Sequence, residues 1–203
     1  MDRKTLLVGL MVFLLIGVVA AGVFFFSKPA SYRGTTYAEP YPAAAPIELD
    51  RADGTTFRLS EMRGKVVALF FGYTSCPDIC PTTMAELRQA LEKLGSKADQ
   101  VQVLFVTVDP QRDTPERVQE YVNHFNPEFI GLSGSEQELA RVWNEYGVFR
   151  EVVDGTSAAG YLVNHTARVT LIDQQGNLRV SFPFDAPVED VVHDLNLLLK
   201  ESN

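Results

Sequence analysis

The sequence is short of cysteine, histidine and positive charge. Its 203 residues include two cysteines and three histidines, and 18 basic residues against 26 acidic ones give a formal net charge of −8. Two cysteines exclude a scaffold of several disulfides and a four-cysteine zinc site, although one disulfide or one small metal site stays open. The acidic surplus argues against nucleic acid as a partner, because such a surface repels phosphate backbones.

Charge and proline are both absent from one long apolar stretch near the N-terminus, Leu6–Phe26. Its length is enough to cross a hydrocarbon core of roughly 30 Å. A cleaved signal peptide is the competing interpretation, but its apolar region usually runs about 7 to 15 residues. The sequence therefore predicts a short tail over residues 1–5 and a transmembrane anchor over residues 6–26.

The segment that follows is rich in proline and alanine. Residues 27–46 hold four prolines among alanine, serine and glycine residues. Such a composition favours an extended tether rather than a packed core. A single domain is then expected over residues 47–203, a length typical of one domain.

Strand and helix patterns alternate along that domain, which favours a parallel sheet. The predicted elements are a hairpin at 47–59, strands at 65–72, 101–108 and 129–132, helices at 81–94, 114–125 and 136–146, a second hairpin at 167–184 and a last helix at 187–199. The predicted fold class is α/β, a thioredoxin-like fold with an N-terminal β-hairpin and an insertion at about 136–164, preceded by one transmembrane helix.

Both cysteines lie where the first core strand gives way to its helix. Cys76 and Cys80 each precede a proline, which disfavours helical backbone angles, so we expect a loop through Cys80 with Pro81 as the first helical residue. The N-terminus of a helix stabilises a thiolate, the form that attacks disulfides and ligates metals. Three intervening residues permit either a disulfide or a shared metal ion. Two inert, buried cysteines are the alternative.

One histidine is placed to complete a site with these thiols. His124 and His193 fall inside predicted helices, where a solvated or packed side chain is expected. His165 lies just before the terminal hairpin, where a thioredoxin-like fold packs a loop against its cysteine loop. We interpret His165 as a metal ligand, with a hydrogen-bonded structural histidine as the alternative.

Two thiolates and one imidazole form a ligand set that suits Cu(I), and an added water or carboxylate lets it hold Cu(II). Zinc fits sterically but usually gathers four ligands. The segments Cys76–Pro81 and Val108–Pro115, the anchor and His165 resemble the Sco/SenC family of membrane-anchored copper proteins that assemble cytochrome c oxidase. One departure is Asn164, where many relatives carry an acidic residue.

The resemblance implies a function. Cys76, Cys80 and His165 would bind copper for the binuclear site of cytochrome c oxidase subunit II, with a copper donor protein upstream. The paired thiols on a single-pass anchor fit the cell inner membrane, with the domain on the extracytoplasmic side. This describes a metallochaperone rather than an enzyme.

Two enzyme classes stay open beside the chaperone. A thiol-disulfide oxidoreductase would keep the acceptor's cysteines reduced, using the same pair. A peroxide-reducing thiol enzyme is the other, because Thr74-Ser75-Cys76 resembles the peroxiredoxin cysteine loop. A purely structural or docking role is the remaining alternative.

The sequence predicts a role for two further segments near the candidate site. Asp109–Pro115 is interpreted as structural, with Asp113 or Thr114 capping the next helix. Asp154–Gly160 is expected to be a mobile loop that carries His165 toward and away from the cysteines.

Overall fold

The computed structural model describes residues 31–157 and 160–201, together with residues 2, 9 and 11–18. The chain divides into two compact units, residues 1–31 and 32–203. In the first unit, residues 11–18 are helical. No helix within the described residues is long and apolar enough to cross a membrane, and most of the predicted anchor, residues 6–26, lies outside those residues.

The second unit combines strands and helices. Its strands are Thr35–Thr36 (β1), Glu48–Asp50 (β2), Thr56–Arg58 (β3), Val66–Gly72 (β4), Val101–Thr107 (β5), Ile130–Leu132 (β6), Arg150–Ser157 (β7), Gly160–His165 (β8), Arg168–Ile172 (β9) and Leu178–Pro183 (β10). Its helices are Ile79–Leu94 (α1), Pro115–Asn123 (α2), Glu136–Glu145 (α3) and Val188–Glu201 (α4).

A six-stranded sheet of order β1-β10-β9-β4-β5-β6 forms the centre of this unit. β4, β5 and β6 pair in parallel, while β9 and β10 add antiparallel partners on the other side of β4. Every residue of β4 is buried, as its continuous apolar run predicts for a central strand. The predicted thioredoxin-like α/β fold is confirmed.

The leading hairpin and the helices also follow their sequence patterns. β2 and β3 form the antiparallel hairpin at the start of the domain. The Thr114 hydroxyl accepts from the N–H of Arg117 and caps α2, while Ser135 and Glu138 form a capping box at α3. Helix α1 packs against α4, and α2 packs against β5 and β6.

Helix α1 begins two residues earlier than its prolines predict. It starts at Ile79, so Cys80 lies in its first turn and Pro81 is the third helical residue. The first four N–H groups of a helix have no partner within the helix, so a proline there loses no hydrogen bond. The N–H of Thr82 donates to the carbonyl of Asp78 and continues the helix.

The described residues of the predicted mobile loop, 154–157 and 160, lie in two β-strands, and residues 158 and 159 lie outside the described residues. β7 and β8 pair antiparallel in a separate two-stranded sheet, with Arg150 opposite His165. We call these two strands, residues 150–157 and 160–165, the histidine hairpin. The register pairs Val152 with Val163 and Val153 with Leu162, and Gly160 adopts a positive φ of 76° at the start of β8.

Part of the predicted tether contacts the domain. β1 pairs with β10 at the sheet edge, and the N–H of Tyr37 donates to the carbonyl of Arg179. The Arg179 guanidinium lies 3.9 Å from the ring centroid of Tyr41 and 5.6 Å from that of Tyr32. Aromatic rings on the segment therefore provide contacts that its proline and alanine content does not suggest.

Candidate metal centre

Both cysteines are free thiols at the C-terminal end of β4. The thiol loop, residues 73–78, connects β4 to α1 and turns where the N–H of Cys76 donates to the carbonyl of Tyr73. Cys76 is half-buried in this loop, whereas Cys80 is completely buried in the first turn of α1. One thiol is therefore reachable and the other is enclosed by the core.

Gly72 allows the buried thiol to approach the sheet. A Cβ atom at this position would lie 3.0 Å from the Sγ of Cys80 and 2.9 Å from the rings of Phe70 and Phe105. Contacts this close require something to move, so a side chain at this position would displace the thiol or the buried rings. The end of β4 thus brings the sheet directly against Cys80.

The two thiols interact, and they differ in acidity. The N–H of Cys80 donates to the Sγ of Cys76 over 3.4 Å. Hydrogen bonding from the side chain of Cys80 lowers the pKa of Cys76 most strongly, burial opposes the shift, and hydrogen bonding from His165 adds to the lowering. The hydrogen bond with Cys76, together with burial, raises the pKa of Cys80. Cys76 is therefore the thiol that ionises first.

His165 ends the histidine hairpin beside these thiols. Its Nε2 lies 3.6 Å from the Sγ of Cys80, and its Nδ1–H donates to the carbonyl of Thr166. Because a carbonyl oxygen can only accept, Nδ1 carries a proton, and Nε2 is the ring nitrogen that faces the thiols. The imidazole also lies against the edges of the rings of Tyr73 and Phe70, at centroid distances of 5.8 and 6.4 Å.

An open cleft gives access to this site from solvent. The thiol loop forms one wall and the end of the histidine hairpin forms the other. Phe149 lies at its rim with 60% of its surface exposed. The residues that line the cleft are Tyr73, Cys76, Pro77, Asp78, Ile79, Phe149, Leu162, Val163, Asn164 and His165.

Cys80 and His165 are close enough to share one metal ion. Sulfur and nitrogen ligands at about 2.3 and 2.0 Å from a metal lie up to roughly 4 Å apart, and the distance from Cys80 Sγ to His165 Nε2 is within that limit. Nowhere among residues 31–157 and 160–201 do three Cys, His, Asp or Glu side chains already have the spacing of a metal site. Binding of the ion would therefore require the three side chains to close together.

The other two histidines lie elsewhere. The Nδ1–H of His124 donates to the carbonyl of Glu120 at the end of α2, and His193 Nδ1 lies 2.8 Å from Asp194 in α4. Each therefore makes a local contact away from the thiols. This agrees with the expectation of solvated or packed side chains.

Sequence patterns did not predict the polar contacts next to the site. Asp109 and Asp113 follow β5 and are both completely buried, and Tyr161 of β8 donates its hydroxyl to Asp109. Asp113 accepts from the N–H and hydroxyl of Thr74 instead of capping α2. Two acidic residues directly after a core strand were an available signal, but the partner Tyr161 is 52 residues away in the chain.

Comparison with known proteins finds relatives along almost the whole chain. A family model described as SCO1/SenC matches residues 35–200. An SCO2-like protein of Rickettsia felis is 32% identical over 200 residues, which cover 96% of this chain and 98% of the relative. The structure of Bradyrhizobium japonicum ScoI with copper bound is 35% identical and has a TM-score of 0.70, covering 77% of this chain and 99% of that one.

A more distant structure shares the fold. BsSco is 19% identical with a TM-score of 0.63, covering 81% of this chain and 98% of that one. It is described as a member of the Sco family of cytochrome c oxidase assembly proteins that has a disulfide switch. At this identity the likeness shows the fold alone.

Proposed function

This chain belongs to the SCO1/SenC family, and from that membership we propose that it is a membrane-anchored copper chaperone. It binds one copper ion through Cys76, Cys80 and His165, and it supports assembly of the binuclear copper site of cytochrome c oxidase subunit II. The observation that carries the proposal is the convergence of two free thiols and one imidazole in an open cleft.

The ligand chemistry favours Cu(I) as the cargo. Two soft sulfur donors and one imidazole give low coordination, which Cu(I) accepts and zinc usually does not. The difference in exposure between the two thiols supports copper transfer, because Cys76 faces the cleft while Cys80 is enclosed. A thiol of the acceptor can replace Cys76 first, while Cys80 and His165 still hold the ion. A water or carboxylate ligand would let the same site hold Cu(II).

The N-terminal segment supports the proposed location. The uncharged stretch Leu6–Phe26 is long enough for a membrane anchor. We place the copper domain on the extracytoplasmic side of the cell inner membrane, where paired thiols meet an oxidising environment. There it receives copper from a donor protein and delivers it to subunit II.

A thiol-disulfide oxidoreductase is the second candidate, favoured by the pairing of a low-pKa, reachable thiol with a buried one. Cys76 would attack the acceptor's disulfide and form a mixed disulfide, which Cys80 then resolves. The acceptor's disulfide becomes two thiols while Cys76 and Cys80 form a disulfide. Two electrons and two protons pass to the acceptor.

A transfer experiment separates the two candidates. The reduced, Cu(I)-loaded protein is mixed anaerobically with the reduced, copper-free soluble domain of subunit II, and the copper bound to each protein is measured after separation. The metal-free protein is mixed with the same domain in its disulfide form, and new thiols are counted. His165→Ala is the test variant and His124→Ala is its matched control.

The chaperone predicts copper transfer that is lost in His165→Ala and kept in His124→Ala. Thiol reduction that proceeds equally in both variants, without copper transfer from the wild type, would overturn the chaperone and favour the oxidoreductase. Tight copper binding by the wild type with no movement to subunit II would remove that domain as the acceptor.

A further inference from the structure

The segment that follows β5 contacts both halves of the copper site. We call residues 108–113 the buried turn. The N–H groups of Arg112 and Asp113 both donate to the carbonyl of Asp109 and so form the turn. The side chains of Asp109 and Asp113 are completely buried. A buried carboxylate is unfavourable unless it is paired or hydrogen-bonded, so the partners of these two residues are informative.

Asp113 holds the thiol loop. It accepts from the N–H of Thr74 at 3.0 Å and from the Thr74 hydroxyl at 2.6 Å. It also accepts from the hydroxyl of Thr107, at the end of β5, at 2.7 Å. Thr74 is two residues before Cys76, so these bonds fix the start of the loop on which that thiol lies.

Asp109 and Arg112 hold the histidine hairpin. The Tyr161 hydroxyl donates to Asp109 at 2.7 Å, and Arg112 donates to the carbonyl of Tyr161 at 3.0 Å. The Arg112 guanidinium lies 3.7 Å from the ring centroid of Tyr161 and bonds to Asp109. A third tie is made by Arg150, whose Nε–H donates to the carbonyl of Val108. Hydrogen bonds and ring stacking therefore fasten both strands of the hairpin.

We propose that the buried turn is a positioning device that sets the distance between the thiols and His165, with Asp113 acting on the thiol loop and Asp109 acting through Tyr161 on the hairpin. The inference rests on the proposed copper site. Asp109, Asp113, Arg112 and Tyr161 are positioning residues, because they act through the ligands. Outer partners that orient metal ligands commonly contribute about 10- to 100-fold to metal affinity.

The two arms of the device make separable predictions. Tyr161→Phe removes the bond to Asp109 but keeps the ring under Arg112, so it should weaken Cu(I) binding about tenfold. This loss depends on His165, so Tyr161→Phe should add nothing when His165→Ala is already present. Thr74→Val acts on the thiol loop instead, so its loss should persist in the His165→Ala background and the alkylation rate of Cys76 should change.

A double-mutant cycle on the full chain in detergent tests these expectations. Cu(I) affinity is measured against a competing chelator for each single and double variant, and Cys76 alkylation is measured in the metal-free protein. Tyr146→Phe is the matched tyrosine control, since its hydroxyl bonds Ala45 away from the site. Thr55→Val is the matched threonine control, since its hydroxyl bonds Asp53 over the same 2.6 Å.

The outcomes separate this inference from the copper site itself. An equal effect of Tyr161→Phe with and without His165 would overturn the positioning device while leaving the copper site intact. Unchanged Cu(I) affinity in His165→Ala would overturn both. Equal losses in Tyr146→Phe and Tyr161→Phe would mean that general stability, rather than positioning, accounts for the effect, and would also overturn the device.

Discussion

Cys76 and Cys80 lie four residues apart but have different environments. Cys76 is half-buried in the thiol loop and accepts from the N–H of Cys80. Cys80 lies in the first turn of α1, where its side chain packs against Gly72 and is completely buried. The difference follows from where α1 begins, because its first turn encloses one cysteine and directs its N–H toward the other.

The alkylation rate of Cys76 should change little with pH. Because its pKa is lowered to about 3, Cys76 is already a thiolate at pH 6, and raising the pH to 8 forms little more thiolate. An ordinary thiol with a pKa of about 8.5 would react roughly 75-fold faster at the higher pH. Iodoacetamide labelling followed by mass spectrometry measures both sites in the reduced, metal-free protein.

Cys80→Ala is the control for this measurement. Hydrogen bonding from the side chain of Cys80 is the largest cause of the lowered pKa of Cys76, so Cys80→Ala should restore a strong pH dependence at Cys76 even though the backbone N–H remains. Cys80 itself should react slowly at both pH values in the wild type, because burial protects it. If the alkylation rate of Cys76 in the wild type rises with pH as it does for an ordinary thiol, this would contradict the lowered pKa of Cys76.

Elements with one dominant pattern were predictable from the sequence. β4 is apolar throughout, and α1 combines a helical apolar face with Gly95 directly after its last residue, Leu94. The position of His165 next to the cysteine loop followed from the element order of a thioredoxin-like fold. The histidine hairpin was not predicted as strands, because the Gly and Ser residues near its tip have a loop-like composition and neither strand alternates apolar with polar residues.

The N-terminal segment shows a similar limit. Pro and Ala dominate residues 27–46, yet the N–H groups of Arg33 and Gly34 donate to the buried carboxylate of Asp194. That contact joins residues about 160 positions apart. Local composition cannot indicate it, because the acceptor lies in the last helix.

We expect Asp194→Asn to destabilise the protein by about 1–3 kcal/mol, because the amide puts a donor where a carboxylate oxygen accepts from a backbone N–H. Asp190→Asn is the matched control in the same helix. Asp190 pairs with Arg33 at the surface, so its loss should amount to less than about 1 kcal/mol. Urea unfolding of a chain that starts at Ser31 measures both. Equal losses of unfolding free energy in the two variants would show that the buried contact of Asp194 stabilises the protein no more than the surface ion pair of Asp190.

At the scale of the whole molecule, the fold brings together residues that are distant in the chain. Parallel pairing of β4 with β5 places the thiol loop and the buried turn at the same end of the sheet. The histidine hairpin then reaches this end, so Cys80 and His165 meet across 85 residues of sequence. The candidate ligands could be selected from the sequence because few Cys and His residues exist, whereas the buried turn that holds them required the structure.

Membrane attachment can be tested on the whole chain. The full protein should stay in the membrane fraction after washing with high salt, and a chain that starts at Ser31 should not. In a variant with both native cysteines replaced by serine, S96C should react with a membrane-impermeant maleimide on intact cells and T5C should not. Labelling of T5C alone would reverse the proposed orientation.

An anaerobic Cu(I) titration tests the central claim most directly. The reduced protein is titrated against a competing chelator as wild type, Cys76→Ser, Cys80→Ser and His165→Ala, with His193→Ala as the control. The account predicts one tightly bound Cu(I) per chain, weaker binding in each of the three ligand variants, and unchanged binding in the control. Binding that is weak in the wild type, or indifferent to His165, would contradict it.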